Sequence, residues 1–351
     1  MKQSSYPRYF VKLLGSGAAL LLLVLSTECY GQVSSCVCGF ITLHVRGTGY
    51  TNSSALSFLG LGLTRPVMFR GNLESFGPGT ITDLQAHWTD NQFNGTNGPH
   101  YLEITSGSHA GFLTDILDTD AASHTLTLAH DLSSVLSGGE TYTIRKHWTL
   151  ASLFGPHDEA GLGAGSNVSA DEILIYNPAT GLYTTYFYKT LGLGGTGWRS
   201  TASSSFNQAN AQLDLTQGIL IKRKQGSNLE IKIFGTVKTG PTMAEVQPGL
   251  NILGNVYPID TLTLGNSCLY TGNLNTGLAA GSNVSADKVL IYDGLAYQTY
   301  YYKTLGLGGI GWRSTASSSR DASGTILPAG SSILIQRINN AGFLWQAAQP
   351  F

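Results

Sequence analysis

This 351-residue chain contains the same stretch twice, in two nearly identical copies. The first runs from Gly165-Ser-Asn-Val-Ser-Ala-Asp171 to Trp198-Arg-Ser-Thr-Ala-Ser-Ser-Ser205, and the second from Gly281-Ser-Asn-Val-Ser-Ala-Asp287 to Trp312-Arg-Ser-Thr-Ala-Ser-Ser-Ser319. Weaker matches on both sides extend the copies to about 149–240 and 263–351. Because this period is longer than those of solenoids and propellers, we expect an internal duplication rather than an array.

The only length difference within these stretches falls at a turn. Asn177-Pro-Ala-Thr-Gly181 in the first copy corresponds to a shorter segment containing Asp293-Gly294 in the second. Asn-Pro followed by Gly suits a longer turn with one residue at positive φ, whereas Asp-Gly suits a tight turn. A length change confined to a turn preserves the pairing of its arms. The flanking runs are therefore predicted to form a β-hairpin in each copy.

Short β-prone runs separated by turn residues also fill the N-terminal half. Residues 39–75 predict strands, and 75–148 predict a small SH3-like barrel or sandwich with about five strands. No stretch after residue 31 has a sustained helical period with both caps. We therefore expect an all-β fold of antiparallel sandwich or barrel modules. The predicted layout is an N-terminal module at 32–148, the first copy at 149–240, connecting strands at 241–262 and the second copy at 263–351.

The first 31 residues have the pattern of a secretory signal. Lys2, Arg8 and Lys12 precede an apolar run, and Cys29-Tyr-Gly31 ends in a small-x-small cleavage site. The apolar run is short for a membrane span, although an uncleaved anchor helix is the alternative interpretation. The sequence therefore predicts export to the periplasm, the outer surface or the medium, with no membrane span after cleavage.

The amino-acid composition limits the kinds of partner that this chain is expected to bind. Only 12% of residues are charged, the formal net charge is −1, and there are 44 glycines. A nucleic-acid partner calls for a basic patch, which this balance does not favour. Low charge with abundant Gly, Ser, Thr and Tyr is typical of an exported all-β protein with many turns.

Three cysteines follow the predicted signal: Cys36, Cys38 and Cys268. An odd number allows at most one intramolecular bridge, from Cys36 or Cys38 to Cys268, in an oxidising compartment. A C-x-C pair with no paired histidine is a poor zinc signature, so we predict no metal at these residues.

A series of short motifs between Tyr101 and Trp198 resembles the sequence pattern of a known protein family. The series runs Tyr101-Leu-Glu-Ile-x-Ser-Gly-x-x-x-Gly111, Leu126-x-Leu128, Tyr142-x-Ile-Arg145, Trp148-Thr-Leu-x-x-Leu-Phe154, Asp171-x-Ile-Leu-Ile175 and Gly-Trp198. It resembles a family of uncharacterised exported proteins that occurs as many paralogues in verrucomicrobial genomes. The resemblance covers most of the chain after the signal, and it implies export and an all-β fold. It supplies no activity and no site residues.

Two glycine-rich segments match the dinucleotide-binding pattern G-x-G-x-x-G. They are Gly192-Leu-Gly194-Gly-Thr-Gly197 and Gly306-Leu-Gly308-Gly-Ile-Gly311. That fingerprint also needs a following helix whose N-terminus faces the pyrophosphate. Here Trp-Arg-Ser-Thr-Ala-Ser-Ser-Ser follows instead. We therefore expect loops between strands and no cofactor.

All eight histidines lie between His44 and His157. A metal or acid–base site in this half would draw on His87, His100, His109, His124, His130, Asp115, Asp118 and Asp120. None of these histidines pairs as H-x-H or H-x-x-x-H, so ligands would have to converge from separate strands. Scattered surface histidines are the preferred interpretation, and no metal is predicted.

The hairpin arms and the segments after them are rich in aromatic residues, and both copies contain a Trp-Arg pair. The candidate ligand-binding residues are Trp198, Arg199, Trp312, Arg313, Tyr183, Tyr186, Tyr188, Tyr297, Tyr300 and Tyr302. Exposed Tyr and Trp hold sugar rings by stacking, with hydrogen bonds at the rim. The alternative is cross-strand pairing inside a sandwich, with each Trp as a core anchor.

These observations predict an exported, non-enzymatic cell-envelope or extracellular protein with a structural or adhesive role. Its partners would be extracellular polysaccharide or envelope proteins. The alternative is a carbohydrate-binding module that uses the duplicated aromatic hairpins. The third hypothesis is a secreted hydrolase, whose carboxylates would come from Asp158, Glu159, Asp171 and Asp287.

Overall fold

Twenty-four strands and one short helix make up the regular structure of the residues that the computed structural model describes. These residues are 37–49, 56–192, 194–293, 296–304, 306, 308–347 and 349. The predicted signal and Cys36 lie outside them. All paired strands are antiparallel, apart from isolated bridges. The predicted all-β fold class is therefore confirmed.

The first ten strands precede the repeats. They are β1 (Cys38–Val45), β2 (Leu56–Leu59), β3 (Val67–Asn72), β4 (Ser75–Gly77), β5 (Thr80–Thr82), β6 (Asn94–Gly95), β7 (Gly98–Ile104), β8 (Leu113–Asp120), β9 (Thr125–Leu128) and β10 (Thr141–Lys146). Strands β3 to β10 form one eight-stranded sheet in the order β3-β10-β7-β8-β9-β5-β4, with β6 paired to β7. We call it the inserted sheet. It has its own hydrophobic core, which includes Phe93, Leu102 and Ile144.

The first copy begins with a short helix. β11 (Trp148–Thr149) leads into α1 (Leu150–Phe154), where Thr149 and Ser152 form a reciprocal capping box that satisfies backbone donors at the helix N-terminus. The helix ends at Gly155, whose φ of 92° is outside the helical region. The strands that follow are β12 (Glu172–Asn177), β13 (Leu182–Lys189), β14 (Gly197–Ser200), β15 (Gln212–Leu213), β16 (Ile219–Lys222) and β17 (Leu229–Thr236).

The remaining strands belong to the C-terminal third of the chain. They are β18 (Thr242–Val246), β19 (Gly249–Gly254), β20 (Lys288–Tyr292), β21 (Tyr297–Lys303), β22 (Gly311–Ser314), β23 (Ser332–Arg337) and β24 (Phe343–Ala347). β18 and β19, which fall in the predicted connecting segment, pair with β24 and β23 of the second copy.

Two five-stranded sheets hold most of the copies, in the orders β14-β13-β12-β16-β2 and β19-β23-β20-β21-β22. β2 occupies the place in the first sheet that β19 occupies in the second, and β1 pairs with β17 as β18 pairs with β24. The sheets meet through isolated bridges from Leu59 to Ser331 and from Gln217 to Leu253. A single hydrophobic core contains Ile173 and Trp198 together with Val289 and Trp312.

Both predicted hairpins are present. β12 pairs with β13 and β20 pairs with β21, in matching register on each side of the turn. Gly181 has a φ of 70°, which accounts for the predicted glycine in the longer turn, because side chains with a Cβ are disfavoured there. Among the described residues, no helix is long and apolar enough to cross a membrane.

Candidate functional site

The two repeated tryptophans lie in the core. Trp198 is 1% exposed and Trp312 is 4% exposed. Trp198 donates a 2.8 Å hydrogen bond from Nε1 to the carbonyl of Gly155, and its ring meets that of Tyr188 edge-on at 5.2 Å. Tyr302 meets Trp312 in the same way at 5.6 Å. Neither indole face is open to a sugar ring, so the core-anchor interpretation fits both tryptophans.

The two repeated arginines fasten the glycine-rich loops. Arg199 is 5% exposed and donates to the carbonyls of Trp198 and Gly194, each at 2.8 Å. Arg313 is 6% exposed and donates to the carbonyls of Trp312 and Gly308, each at 2.7 Å. These segments connect β13 to β14 and β21 to β22, so they are loops between strands as predicted. Both guanidinium groups therefore bond within the fold, mainly to backbone carbonyls, and Arg313 also pairs with Asp321 at 3.2 Å.

The tyrosines of the hairpin arms do not form one exposed surface. Tyr183 is 44% exposed, Tyr188 is buried, and Tyr186, Tyr297, Tyr300 and Tyr302 are half-buried. Tyr302 stacks on Tyr270 with ring centroids 3.5 Å apart, and Tyr297 meets Phe58 edge-on at 5.0 Å. Of the ten predicted ligand-binding residues, only Tyr183 is exposed.

The hydrolase candidates fall into two groups. Asp171 and Asp287 are buried and accept hydrogen bonds at 2.9 Å from Arg223 and Arg337, which gives each a structural partner. Asp158 is half-buried, and burial raises its pKa to about 7, helped by the negative charge of Asp171. A carboxyl of this pKa suits proton transfer near neutral pH. The backbone of Asp158, however, has a φ of 62°, and its side chain accepts a hydrogen bond from the backbone N–H of Leu162, as in a structural turn.

A cavity of about 660 Å³ lies elsewhere, where the inserted sheet meets β18 and β24. Its walls are partly apolar, with Phe112 and Phe343 among them, and partly polar. The acidic and histidine side chains in the walls are Asp115, His130, His147, Asp214 and Glu245. No lysine, arginine, serine or cysteine occurs among its described lining residues, so the wall offers no Ser-His-Asp arrangement.

Three of these side chains form a close cluster. His147, between β10 and β11, is 6% exposed, and its Nε2 lies 2.8 Å from Asp115 Oδ1. Its Nδ1 lies 3.4 Å from Asp214 Oδ1, yet Nδ1 has no aligned hydrogen-bond partner among the described residues. The amide of Gln212 donates to both carboxylates, at 3.0 Å to Asp115 and 2.6 Å to Asp214.

The electrostatics of the cluster keep the carboxylate of Asp115 ionised. Burial by itself would raise the pKa of Asp115, but its pKa is lowered despite burial, with contributions from the hydrogen bonds that His147 and Gln212 make to its carboxylate. His130, on the same cavity wall, shares a 3.1 Å hydrogen bond with Thr114. The ligand atoms of Asp115, His147 and Asp214 lie within 4.8 Å of one another, so these three residues could hold a metal ion.

Only one member of this cluster, Asp115, is among the residues predicted from the sequence. His130, another predicted residue, lies on the same cavity wall, whereas His147 and Asp214 were not predicted. His100 is buried beside the ring of Phe93, and burial lowers its pKa to about 4. The remaining candidates, His87, His109, His124, Asp118 and Asp120, are not part of the cluster.

The thiols of Cys38 and Cys268 are both free and exposed. No bridge joins these two residues. The other predicted pairing involves Cys36, which lies outside the described residues, so that pairing stays a prediction.

Comparisons with known proteins give no relative: no family model, curated protein or solved structure matches the chain.

Proposed function

We propose that this protein is an exported, non-enzymatic component of the cell envelope or extracellular space, with a structural or adhesive role. One observation carries the proposal. The repeated side chains that could have done chemistry are used inside the fold: Trp198 and Trp312 in the core, Arg199 and Arg313 on loop carbonyls, and Asp171 and Asp287 on buried arginines. What the two copies share is therefore a framework rather than a pair of binding sites.

The pairing of strands supports a duplicated framework. We infer that each half begins with two strands that pair with the last two strands of the same half. In the first half β1 pairs with β17 and β2 with β16; in the second half β18 pairs with β24 and β19 with β23. In this interpretation the inserted sheet interrupts the first half between β2 and β11, in the region where the sequence predicts a small barrel or sandwich. The N-terminal signal pattern and the resemblance to exported verrucomicrobial proteins favour export.

Export is tested by expressing the chain with its own leader in a Gram-negative host and fractionating the cells. We expect a mature chain beginning at Gln32 in the periplasm, on the surface or in the medium. A full-length chain that stays in the cytoplasm would contradict the proposal. Adhesion is tested by coating beads with the secreted protein and measuring their retention on envelope preparations, with uncoated beads and beads carrying an unrelated all-β protein as controls.

Carbohydrate binding is the second candidate, and a different surface now favours it. Phe40 on β1 and Phe234 on β17 are cross-strand neighbours with ring centroids 5.9 Å apart. They are 63% and 67% exposed, on a sheet face that also carries Thr42 and Lys232. Adjacent exposed rings with polar neighbours are suited to stacking against a polysaccharide.

A polysaccharide panel tests this candidate. Binding by the wild-type protein should be lost in the double variant Phe40→Ser plus Phe234→Ser. It should persist in Phe206→Ser, which removes an isolated phenylalanine that is 72% exposed. Equal binding by all three proteins, or none by the wild type, would exclude a sugar site on these strands and leave the structural or adhesive role.

A further inference from the structure

We propose that His147, Asp214 and Asp115 form a binding site for one divalent transition-metal ion of the Zn²⁺ class, on the wall of the 660 Å³ cavity. His147 Nδ1 and Asp214 are the protein ligands, and Asp115 orients the imidazole. The inference is independent of the proposed structural or adhesive role.

The imidazole is held in a fixed position. The backbone N–H of His147 donates at 2.9 Å to the carbonyl of Pro99, and its ring packs against Tyr101 with centroids 4.7 Å apart. The 2.8 Å contact from Nε2 to Asp115 fits a ring N–H donating to a carboxylate, which fixes the tautomer. Metal-binding histidines typically have such a carboxylate on the nitrogen that does not bind the metal.

The environment of His147 Nδ1 favours a cation between this nitrogen and Asp214. With the proton on Nε2, the lone pair of Nδ1 points into a buried region where it has no hydrogen-bond partner among the residues that the structure describes. Asp214 Oδ1, a carboxylate oxygen and so an acceptor, lies 3.4 Å away. Two acceptors that face each other repel unless a proton or a cation lies between them. Zinc bonds to N and O of about 2.0–2.1 Å place two tetrahedral ligands about 3.4 Å apart, which matches this separation.

The surroundings favour a positive ion. Asp115, Asp214 and Glu245 all lie on the cavity wall, and no lysine or arginine occurs among the described lining residues. The Gln212 amide donates to both aspartates of the cluster and so holds their carboxylates on the same side. One imidazole with carboxylates is a donor set that suits Zn²⁺ and its neighbours better than Ca²⁺ or Mg²⁺, which prefer oxygen ligands alone.

The second copy provides an internal comparison. Thr149 and Gln212 pair in the first copy as Thr263 and Ile326 do in the second. In this register the position of Asp214 corresponds to Pro328, which has no metal-binding side chain. The proposal therefore requires one ion per chain rather than two.

The test is equilibrium dialysis of the purified chain from Gln32 onward against ZnCl₂, without a histidine tag and with Cys36→Ser, Cys38→Ser and Cys268→Ser so that thiols do not bind the metal. We expect one Zn²⁺ per chain and weaker binding of Ca²⁺. Asp214→Asn, whose side chain is 48% exposed and whose replacement should fold, should weaken zinc binding at least tenfold. Asp115→Ala should weaken it by about 10–100-fold, the usual range for a residue that orients a ligand.

The matched control is Glu230→Gln, which disrupts an exposed histidine–carboxylate pair with His44 at 3.6 Å. It should leave zinc binding unchanged. Circular dichroism and thermal melting confirm that each variant is folded. Four outcomes would overturn the proposal: no zinc binding, two ions per chain, undiminished binding in Asp214→Asn, or equal loss in Glu230→Gln.

Discussion

Replacing Asp287 by asparagine tests how much a buried ion pair contributes to the framework. The carboxylate of Asp287 accepts three hydrogen bonds: from Arg337 Nη1 at 2.9 Å and from the backbone N–H groups of Ile338 and Ala279, each at 2.7 Å. The side chains of Asp287 and Arg337 are both fully buried. Asparagine keeps the volume but has one acceptor oxygen, so its NH₂ group faces at least one of these donors.

The expected loss of stability follows from the charge of Arg337, which stays buried without its carboxylate partner. The guanidinium of Arg337 keeps its carbonyl contacts but loses its only carboxylate partner among the described ion pairs. Removing one member of a buried pair typically costs about 3–5 kcal/mol, because the remaining charge stays desolvated. The first copy repeats the arrangement: Asp171 accepts from Arg223 Nη1 at 2.9 Å, Lys224 N at 2.6 Å and Gly163 N at 2.7 Å. Asp171→Asn should therefore cost a similar amount.

Equilibrium unfolding in urea, followed by tryptophan fluorescence, measures both variants. We expect a lower midpoint with an unchanged m-value, which indicates a loss of stability without a change in the surface exposed on unfolding. The control is Glu230→Gln, because an exposed pair contributes less than about 1 kcal/mol. A cost below about 1 kcal/mol for Asp287→Asn would refute the reasoning, since the buried carboxylate would then not be what neutralises Arg337.

Three further predictions concern the core, the pH dependence and the thiols. Trp198→Ala and Trp312→Ala should each cost about 3–5 kcal/mol in urea unfolding, because both rings are buried; a change below about 1 kcal/mol would contradict their assignment as core anchors. The raised pKa of Asp158, from 3.8 to about 7, means that its contribution to stability is complete below about pH 4 and declines as the pH rises towards 7. Asp158→Asn cannot ionise, so its free energy of unfolding should rise relative to that of the wild type between pH 5 and pH 8. If the two proteins differ by the same free energy at pH 5 and at pH 8, this carboxyl does not titrate in that range. A thiol reagent should label Cys38 and Cys268 in the folded protein, and protection of Cys268 would instead favour the predicted bridge to Cys36.

The hairpins could be predicted because their signal is local. The two copies differ in length between Tyr176 and Tyr183, and the residues there have the turn chemistry that the longer loop needs. The glycine-rich segments could likewise be predicted as loops, because the residues after them lack the pattern of a helix. Both features depend on neighbours within about ten positions, which a single sequence displays.

The exposure of the aromatic residues could not be predicted in the same way. Alternation along a strand shows which side chains share a face, but it does not show what covers that face. Phe187 and Tyr188 are consecutive, so they point to opposite faces of β13, and both are buried because both faces of the sheet are covered at this point. Trp198 and Arg199 are buried on opposite faces of β14 for the same reason.

The cavity cluster depends on still longer contacts. His147 and Asp115 are separated by 32 positions, and Asp115 and Gln212 by 97, without any short metal-binding spacing. One signal was nevertheless present: Gln212 and Asp214 are polar where the second copy has Ile326 and Pro328. Residues that two copies share are expected to maintain their common framework, as Trp198 and Trp312 do.

Positions where the copies differ are free of that common constraint and can acquire a separate role. In this chain the difference at Gln212 and Asp214 lies on β15 and just after it, where the inserted sheet brings Asp115 and His147 against the first copy. Among the described residues, no sheet is inserted between β19 and β20, where the second copy's leading strands end and its later strands begin. A ligand site that required residues from both the inserted sheet and a copy could therefore form in the first half alone. The asymmetry between the halves, rather than their similarity, is therefore the better guide to where a ligand site could form.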